Sequence, residues 1–208
     1  MQTTTFLKSF FCGLFLVAAS QANAQSAHLT MHSEAGDYIG QGHDYDITYT
    51  PGNSYYFSPQ VRRSLGSGEP AELLFVLGSG PSTPFALLFF GTDRLGIPMQ
   101  PGTYLSAERA DFASLSHPGL DVSFDSRGSN TLTGSFTVTN FSYSPTLGIQ
   151  SFAASFEQHS EGARPALFGT FTYQAIATAV PEPETFAMLL GGLGLIGAAV
   201  RRRKANRA

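Results

Sequence analysis

The segment Leu132-Thr133-Gly134-Ser135-Phe136-Thr137-Val138 places apolar or small residues at alternate positions, with hydroxyl-bearing residues between them. Successive side chains of a β-strand point to opposite faces of its sheet, so a period of two is typical of a strand with one buried face. The same alternation occurs in further segments, at 29–31, 45–49, 120–124, 152–156 and 167–173. The pattern predicts half-buried antiparallel strands.

Two continuous apolar runs and closely spaced turns complete the fold prediction. Leu73–Leu77 and Phe85–Phe90 are expected to be central strands that are covered on both faces. The middle of the chain has no segment with helical periodicity, and it has glycine- and proline-rich turns at 66–68, 78–81, 101–102, 118–119, 128–130 and 162. About ten strands at this spacing predict an all-β domain, an antiparallel β-sandwich or jelly roll.

The predicted domain covers residues 25–179 and is strongly acidic. It contains six arginines and no lysine against 13 aspartates and glutamates, which gives a net charge of −7. Such a surface repels phosphate backbones, and nucleic acid is therefore excluded as a partner. The length suits one domain with a sizeable core.

The N-terminal residues have the layout of a secretory signal peptide. Lys8 precedes an apolar run from Phe10 to Ala19, and Ala22-Asn23-Ala24 provides a small-residue cleavage site. We therefore expect residues 1–24 to be a signal peptide, which signal peptidase removes between Ala24 and Gln25. Cys12 is the only cysteine and lies inside this segment, so the exported domain is expected to fold without a disulfide.

The C-terminal residues combine a proline motif, an apolar segment and a basic stop. These are Val180-Pro181-Glu182-Pro183, the uncharged run Phe186–Val200, and Arg201-Arg202-Arg203-Lys204. A helix of 15 residues spans about 22 Å, short of the roughly 30 Å of a bilayer core. A buried core helix is the alternative, but it would have a polar face. The four cations favour a single, marginal transmembrane helix over 186–200 with a cytoplasmic tail at 201–208.

This order of elements resembles the PEP-CTERM sorting signal of Gram-negative bacteria, which membrane proteases called exosortases process. The resemblance implies that residues 180–208 are a sorting signal. It also implies transient insertion into the inner membrane, cleavage near Pro181 to Pro183, and transfer to the cell surface or extracellular matrix. Since exosortase systems generally accompany exopolysaccharide production, that polymer is an expected partner.

A second resemblance covers most of residues 28–175. The phrases 36–40, 101–104, 132–136 and 156–162 are similar to those of a family of secreted bacterial β-domains with no assigned function. Some members have cysteines at the positions of Ser129 and Ser160. The resemblance thus implies that the loop after Arg127 lies beside the strand end at His159, without a bridge in this chain. It implies no catalytic residue.

Two groups of residues at the first strands are candidates for ligand binding. The glycine-rich segment Gly36–Gly42 is expected to be a turn rather than a phosphate cradle, because a strand and not a helix follows it. Asp44 and Asp46 project from one face of that strand and could ligate calcium together with Asp37. The alternative is a solvated strand face, with Tyr45, Ile47 and Tyr49 turned inward.

A third group comprises Glu157, His159 and Glu161, which share one side of a strand if the strand stays regular. They could ligate a metal or exchange protons, although Gly162 favours a strand end instead. The chain has no nucleophile motif such as G-x-S-x-G. We therefore predict a non-enzymatic exported surface or matrix protein without a cofactor. The alternatives are a calcium-dependent glycan-binding module and, more remotely, a hydrolase.

Overall fold

The computed structural model describes residues 25–175 and 191–193, and residues 25–175 lie within one compact unit. This unit contains ten strands: β1 (Ser26–Ser33), β2 (Asp44–Tyr49), β3 (Tyr56–Ser64), β4 (Pro70–Gly78), β5 (Ala86–Gly91), β6 (Gly102–Arg109), β7 (Gly119–Phe124), β8 (Leu132–Ser144), β9 (Gly148–Ser160) and β10 (Leu167–Gln174). Two short 3₁₀ turns, Asp93–Leu95 and Ala110–Phe112, are its helical segments. Residues 191–193 are helical.

All ten strands belong to one sheet, in the order β2-β1-β10-β9-β8-β6-β7-β5-β4-β3. Neighbouring strands are antiparallel, with the exception of β6 and β7, which run parallel where Glu108 faces Gly119 and Arg109 faces Leu120. The first strand pairs with the last, from Ser26 opposite Gln174 to Ser33 opposite Leu167. The two ends of the described unit are therefore joined by a full ladder of hydrogen bonds.

The sheet folds back on itself around one aromatic core. Phe75 of β4 lies 5.3 Å from Phe152 of β9 and 4.7 Å from Phe171 of β10, measured between ring centroids. Phe90 of β5 is likewise 5.4 Å from Phe136 of β8. These strands are not neighbours in the sheet, so their side chains meet across the interior. Each such aromatic pair adds about 0.5–1.5 kcal/mol to the free energy of burial.

The predicted all-β, antiparallel class is confirmed, but one continuous sheet takes the place of the two sheets of a sandwich. The physical reason lies in β8 and β9, which are 13 residues long and pair with register shifts between Val138 and Asn140 and between Ser142 and Tyr143. Such bulges bend a strand and increase its twist. The long strands therefore curve around the core, and a single sheet covers both of its sides.

The prediction of central strands covered on both faces is confirmed for β4 and β5. One face of this pair contributes Phe75 and Phe90 to the main core. On the opposite face, Leu74 and Phe89 form a smaller buried cluster with Ala110 of the second 3₁₀ turn. Because both faces of these strands are buried, their sequences are continuous apolar runs.

The predicted turn between β1 and β2 is confirmed, and Asp37 holds it together. The Asp37 carboxylate is buried and accepts hydrogen bonds from the Ser33 hydroxyl and from the Gly40 amide, both at 2.7 Å. A Cβ atom on Gly40 would lie 2.5 Å from the Cβ of Ser33, so the turn requires glycine at this position. The oxygens of Asp37 therefore serve the turn itself.

Candidate functional site

The outer face of the sheet has a row of hydroxyl groups that crosses five strands. Thr30 of β1 faces Thr170 of β10, which faces Ser155 of β9, and the row continues through Thr137 of β8 to Thr103 of β6. Hydrogen bonds link the hydroxyls of Thr30 and Thr170 at 2.6 Å and those of Thr103 and Thr137 at 3.0 Å. We call these five residues the hydroxyl row. Their positions follow from the period of two in each strand.

A groove of about 560 Å³ lies on this face, over the strands β1, β10, β9 and β8. We call it the outer groove. The hydroxyl row contributes four of its lining residues, and the neighbouring row of the sheet contributes His32, Phe168 and Glu157. The Phe168 ring is 37% exposed, and the His32 ring stacks against it at 6.5 Å between centroids and 19° between planes. The groove thus combines an accessible aromatic surface with hydroxyl groups.

The outer groove is held at its β2 side by Asp44. The Asp44 carboxylate and the Nδ1 atom of His32 are 2.6 Å apart, which fixes the imidazole beside Phe168. Asp46 makes the corresponding contact with the Nε2 atom of His28, also at 2.6 Å. Both aspartates are exposed, and Tyr49 on the opposite face of β2 is fully buried. The predicted solvated strand face is therefore confirmed.

A second concavity of about 370 Å³ adjoins the outer groove, since Ser135 and Glu157 line both. We call it the side pocket. Two pairs of a carboxylate and an imidazole lie in it. The Nε2 atom of His159 is 2.9 Å from Glu157, and the Nδ1 atom of His117 is 3.5 Å from Glu108. The spacing in the sequence had made Glu157 and His159 candidates for one side of a regular strand, with a strand end as the favoured alternative.

The contacts of His159 show which protonation state the side pocket favours. Its Nδ1 atom lies 3.0 Å from the Arg164 carbonyl oxygen, and its Nε2 atom faces the Glu157 carboxylate. Both partners accept hydrogen bonds, so both ring nitrogens must carry a proton for both bonds to form. The hydrogen bond that the His159 ring donates to Glu157 is the main cause that raises the pKa of His159 above its ordinary value.

The stability of the fold should therefore depend on the charge of His159. A raised pKa in the folded state means that the stabilisation is complete below the ordinary histidine pKa of about 6.5 and is lost as pH rises through the folded value. We expect the free energy of unfolding to fall by about 0.5–1 kcal/mol between pH 6 and pH 8, a small change because Glu157 is partly exposed. Urea denaturation at a series of pH values measures this.

The matched variants for this measurement are Glu157→Gln and Glu69→Gln. The first removes the carboxylate that charges His159 and should flatten the pH dependence, while the second changes an exposed glutamate in the turn between β3 and β4 and should leave the curve unaltered. If the free energy of unfolding changes with pH equally in the wild type and in Glu157→Gln, the contact between Glu157 and His159 does not contribute to stability.

The side pocket also contains residues that the sequence analysis did not group as candidates. Ser106 has a positive φ of 55° and lies in the bulge between Tyr104 and Ala107, and its carbonyl oxygen is 2.9 Å from Nδ1 of His117. Glu108 accepts a hydrogen bond of 2.7 Å from the Ser114 amide, which is the main cause that lowers the pKa of Glu108. The bulge turns β6 so that Glu108 and His117 meet.

The third residue of the predicted group, Glu161, does not join Glu157 and His159. Glu161 has a φ of 55° at the turn after β9, and its carboxylate accepts hydrogen bonds from the Asn130 amide and the Thr131 hydroxyl. These bonds lower the pKa of Glu161, the Asn130 amide being the main cause. Glu161 thus fastens the connection between β7 and β8 to the end of β9.

The predicted calcium ligands are likewise separated. Asp37 is buried in its turn, whereas Asp44 and Asp46 contact histidines on the outer face. Within the part of the chain that the structure describes, no three or more acidic, histidine or cysteine side chains come together as a metal site. Calcium binding stays a prediction, and the described geometry offers it no cluster.

The terminal predictions lie largely outside the described residues. This applies to the signal peptide with Ala22 and Ala24, to the sorting motif 180–183 and to the basic stop 201–204. Gln25 is described, and its side-chain amide donates a hydrogen bond of 2.6 Å to the Tyr173 hydroxyl. In residues 25–175 and 191–193, there is no helix with the length and apolar character that a membrane crossing requires.

Comparison with known proteins identifies the C-terminal segment. A family model described as the PEP-CTERM protein-sorting motif matches residues 179–204. The chain therefore carries a PEP-CTERM sorting motif, which confirms the predicted sorting signal and supports an exported, membrane-transiting protein that an exosortase processes. No curated protein and no solved structure matches the chain.

Proposed function

We propose that this chain is a non-enzymatic protein of the cell surface or extracellular matrix that associates with exopolysaccharide after exosortase processing. The observation that carries the proposal is the PEP-CTERM motif at residues 179–204. In this proposal signal peptidase removes residues 1–24, the helix 186–200 inserts transiently into the inner membrane, and cleavage near Pro181 to Pro183 releases the β-domain. The β-domain then acts by binding and not by catalysis.

The composition of the β-domain supports a partner without phosphate groups. Its net charge of −7 and its lack of lysine disfavour polyanions, and they suit a soluble domain among uncharged polymers. The outer face offers hydroxyl groups, carboxylates and one accessible aromatic ring, which are the groups that hydrogen-bond and pack against sugars.

The processing step is tested in the native host with the full chain and with a Pro181→Ala, Pro183→Ala variant. Intact-mass analysis of the wild-type protein should show a mature form that begins at Gln25 and lacks Arg201 to Lys204. The double variant should instead accumulate in the inner-membrane fraction with its basic tail intact. A wild-type protein that keeps its tail in every fraction contradicts the processing step.

The association with polymer and the lack of catalysis are tested in the same cells. In a strain that cannot synthesise its exopolysaccharide, we expect the mature protein to move from the matrix fraction to the medium. Exopolysaccharide incubated with the purified protein should gain no reducing ends, and the matrix association should survive a calcium chelator. Release of reducing ends would show a hydrolase, and loss of association with the chelator would show the calcium-dependent alternative.

A further inference from the structure

We propose that the outer groove is a binding site for an uncharged polysaccharide chain, with Phe168 as the surface on which one sugar ring packs. This inference rests on the proposed function and assigns its ligand class and its contact residues. Any such site must match two features of a pyranose sugar ring. The ring faces present C–H groups, and the ring edges present hydroxyl groups that both donate and accept hydrogen bonds.

The dimensions of the outer groove suit a chain of sugars rather than a single one. The four residues of the hydroxyl row that line the groove lie on four adjacent strands, and neighbouring strands are about 4.8 Å apart, so this part of the row extends over about 14 Å. The groove is open along the sheet surface and has about 560 Å³ of space. A linear polymer can therefore enter from the side and lie across the strands without a free chain end.

The lining of the outer groove matches the edges of sugar rings. Thr170 and Ser155 present hydroxyl groups that can donate or accept, and Asp44 and Glu157 present carboxylates that accept from sugar hydroxyls. Bonds from a hydroxyl to a charged acceptor are stronger than those between neutral groups. Thr170, Ser155 and Glu157 lie on β10 and β9, which pair with strands on both sides, so little backbone entropy is lost on binding.

A strand face that only supports the fold does not require an exposed aromatic ring. Phe168 lies among polar residues and keeps 37% of its surface accessible, and the stacked His32 ring, fixed by Asp44, holds one flank of it. Burial of that apolar surface against C–H groups of a sugar is favourable. The pair of His32 and Phe168 thus forms a platform beside the hydroxyl row.

The charge of the outer groove selects against acidic polymers. Among the residues described as lining it, two are carboxylates and none is lysine or arginine. A uronate or sulfated chain would face the carboxylates of Asp44 and Glu157. The His32 and His159 rings already contact these two carboxylates, so neither ring is free to pair with the polymer, and the added negative charge is unfavourable. The ligand class is therefore a neutral glycan.

The experiment measures binding of defined hexasaccharides to the full-length protein in detergent micelles by saturation-transfer NMR and calorimetry. The neutral probes are the linear hexaoses of glucose, mannose and galactose, and the acidic probe is hexagalacturonic acid. We expect at least one neutral probe to bind and the acidic probe not to bind. Preference for the acidic probe, or binding of none of the neutral probes, overturns the inference.

Variants locate the site. Phe168→Ala should weaken binding about tenfold and Thr170→Val several-fold, with melting temperatures close to that of the wild type because both side chains are exposed at the surface. The matched controls are Tyr55→Ala, which removes another exposed aromatic ring, and Thr172→Val, which changes the same face of β10 outside the groove lining. Equal affinities of Phe168→Ala and the wild type overturn the inference.

The same variants separate this inference from the function on which it rests. If Phe168→Ala and Thr170→Val remain in the matrix of the native host as the wild type does, the outer groove is not the contact surface, and the proposed matrix function still holds. If the wild type itself never reaches the matrix but binds a neutral hexaose through Phe168, the groove assignment holds and the proposed location is wrong.

Discussion

Replacement of Gln158 by leucine should destabilise the fold by about 2–5 kcal/mol, because the change leaves two backbone groups of β7 buried and unpaired. Gln158 is fully buried on β9, and its side-chain amide pairs with both polar groups of Val122. The Val122 amide donates to Oε1 at 2.8 Å, and Nε2 donates to the Val122 carbonyl oxygen at 3.0 Å. The side chain thus acts as a short piece of neighbouring strand.

The need for this side chain follows from the parallel pair in the sheet. β6 pairs with β7 only as far as Arg109 opposite Leu120, so the edge of β7 beyond Leu120 has no strand partner on that side. The other side of β7 is occupied by β5, with Val122 opposite Leu88. Leucine has a similar volume to glutamine, and the expected loss therefore comes from the missing hydrogen bonds and not from a cavity.

Thermal and urea unfolding of the full-length protein in detergent measure this loss. For a domain of this size, 1 kcal/mol shifts the melting temperature by roughly 2–4 °C, so Gln158→Leu should melt about 4–20 °C below the wild type. The matched control is Gln150→Leu on the same strand, where the amide bonds only to carbonyls of its own hairpin. If both variants lose the same small amount, the bridge from Gln158 to Val122 has no energetic importance.

The alternation of residues predicted the strands but not how they pair. Phe136 and Val138 are buried as their period indicated, since each face of a strand can be read from neighbouring residues. The ladder of β1 with β10 and the parallel contact of β6 with β7 join segments far apart in sequence. Local patterning carries no information about such partners, so two sheets were expected where one continuous sheet exists.

Gln158 shows the same limit at the level of one residue. Its position two residues after Phe156 and two before Ser160 places it on the inward face of β9, which predicts a buried polar side chain. A buried amide must find hydrogen-bond partners, but the sequence does not say that they belong to Val122, 36 positions away. The sequence indicates that Gln158 needs hydrogen-bond partners, but it does not identify them.

The candidate site divides in a similar way. Glu157 and His159 were candidates for one side of a regular strand, and the contact between them follows from that spacing, although Gly162 favoured a strand end. The contact between Glu108 and His117 depends on the bulge at Ser106. The positive φ of Ser106 could not be predicted from the residue types in that segment. The outer groove depends on the register of several strands, which sets Phe168 beside Glu157 and His32. It therefore became visible only in the folded chain.

A Ser129→Cys, Ser160→Cys double variant should form a disulfide and stabilise the fold by about 3–4 kcal/mol. The two hydroxyl oxygens are 2.8 Å apart and both side chains are 3% exposed, so the loop after Arg127 does lie beside the end of β9, as the resemblance to cysteine-bearing domains implied. Cross-linking of positions 31 residues apart removes loop-closure entropy from the unfolded chain, which gives the expected magnitude.

The site places the two side chains close enough for such a bridge. Ser129 and Ser160 already contact one another through their side chains, and the hydrogen bond that the Asn130 amide donates to the Glu161 carboxylate fixes the loop at the next residue. Cysteine is only slightly larger than serine and is often fully buried in proteins, so neither replacement should strain the packing. The gain should therefore not be offset by distortion of the folded state, which is the usual reason for failure of an engineered disulfide.

The measurement compares melting temperatures with and without reductant, in a Cys12→Ser background that excludes disulfide pairing with Cys12. The oxidised double variant should melt roughly 6–15 °C above its reduced form, whereas the parent without cysteine should show no response to reductant. Thiol titration of the oxidised protein should find no free cysteine. Two titratable thiols after oxidation would mean that the loop and the strand end are not held together in solution as they are in this structure.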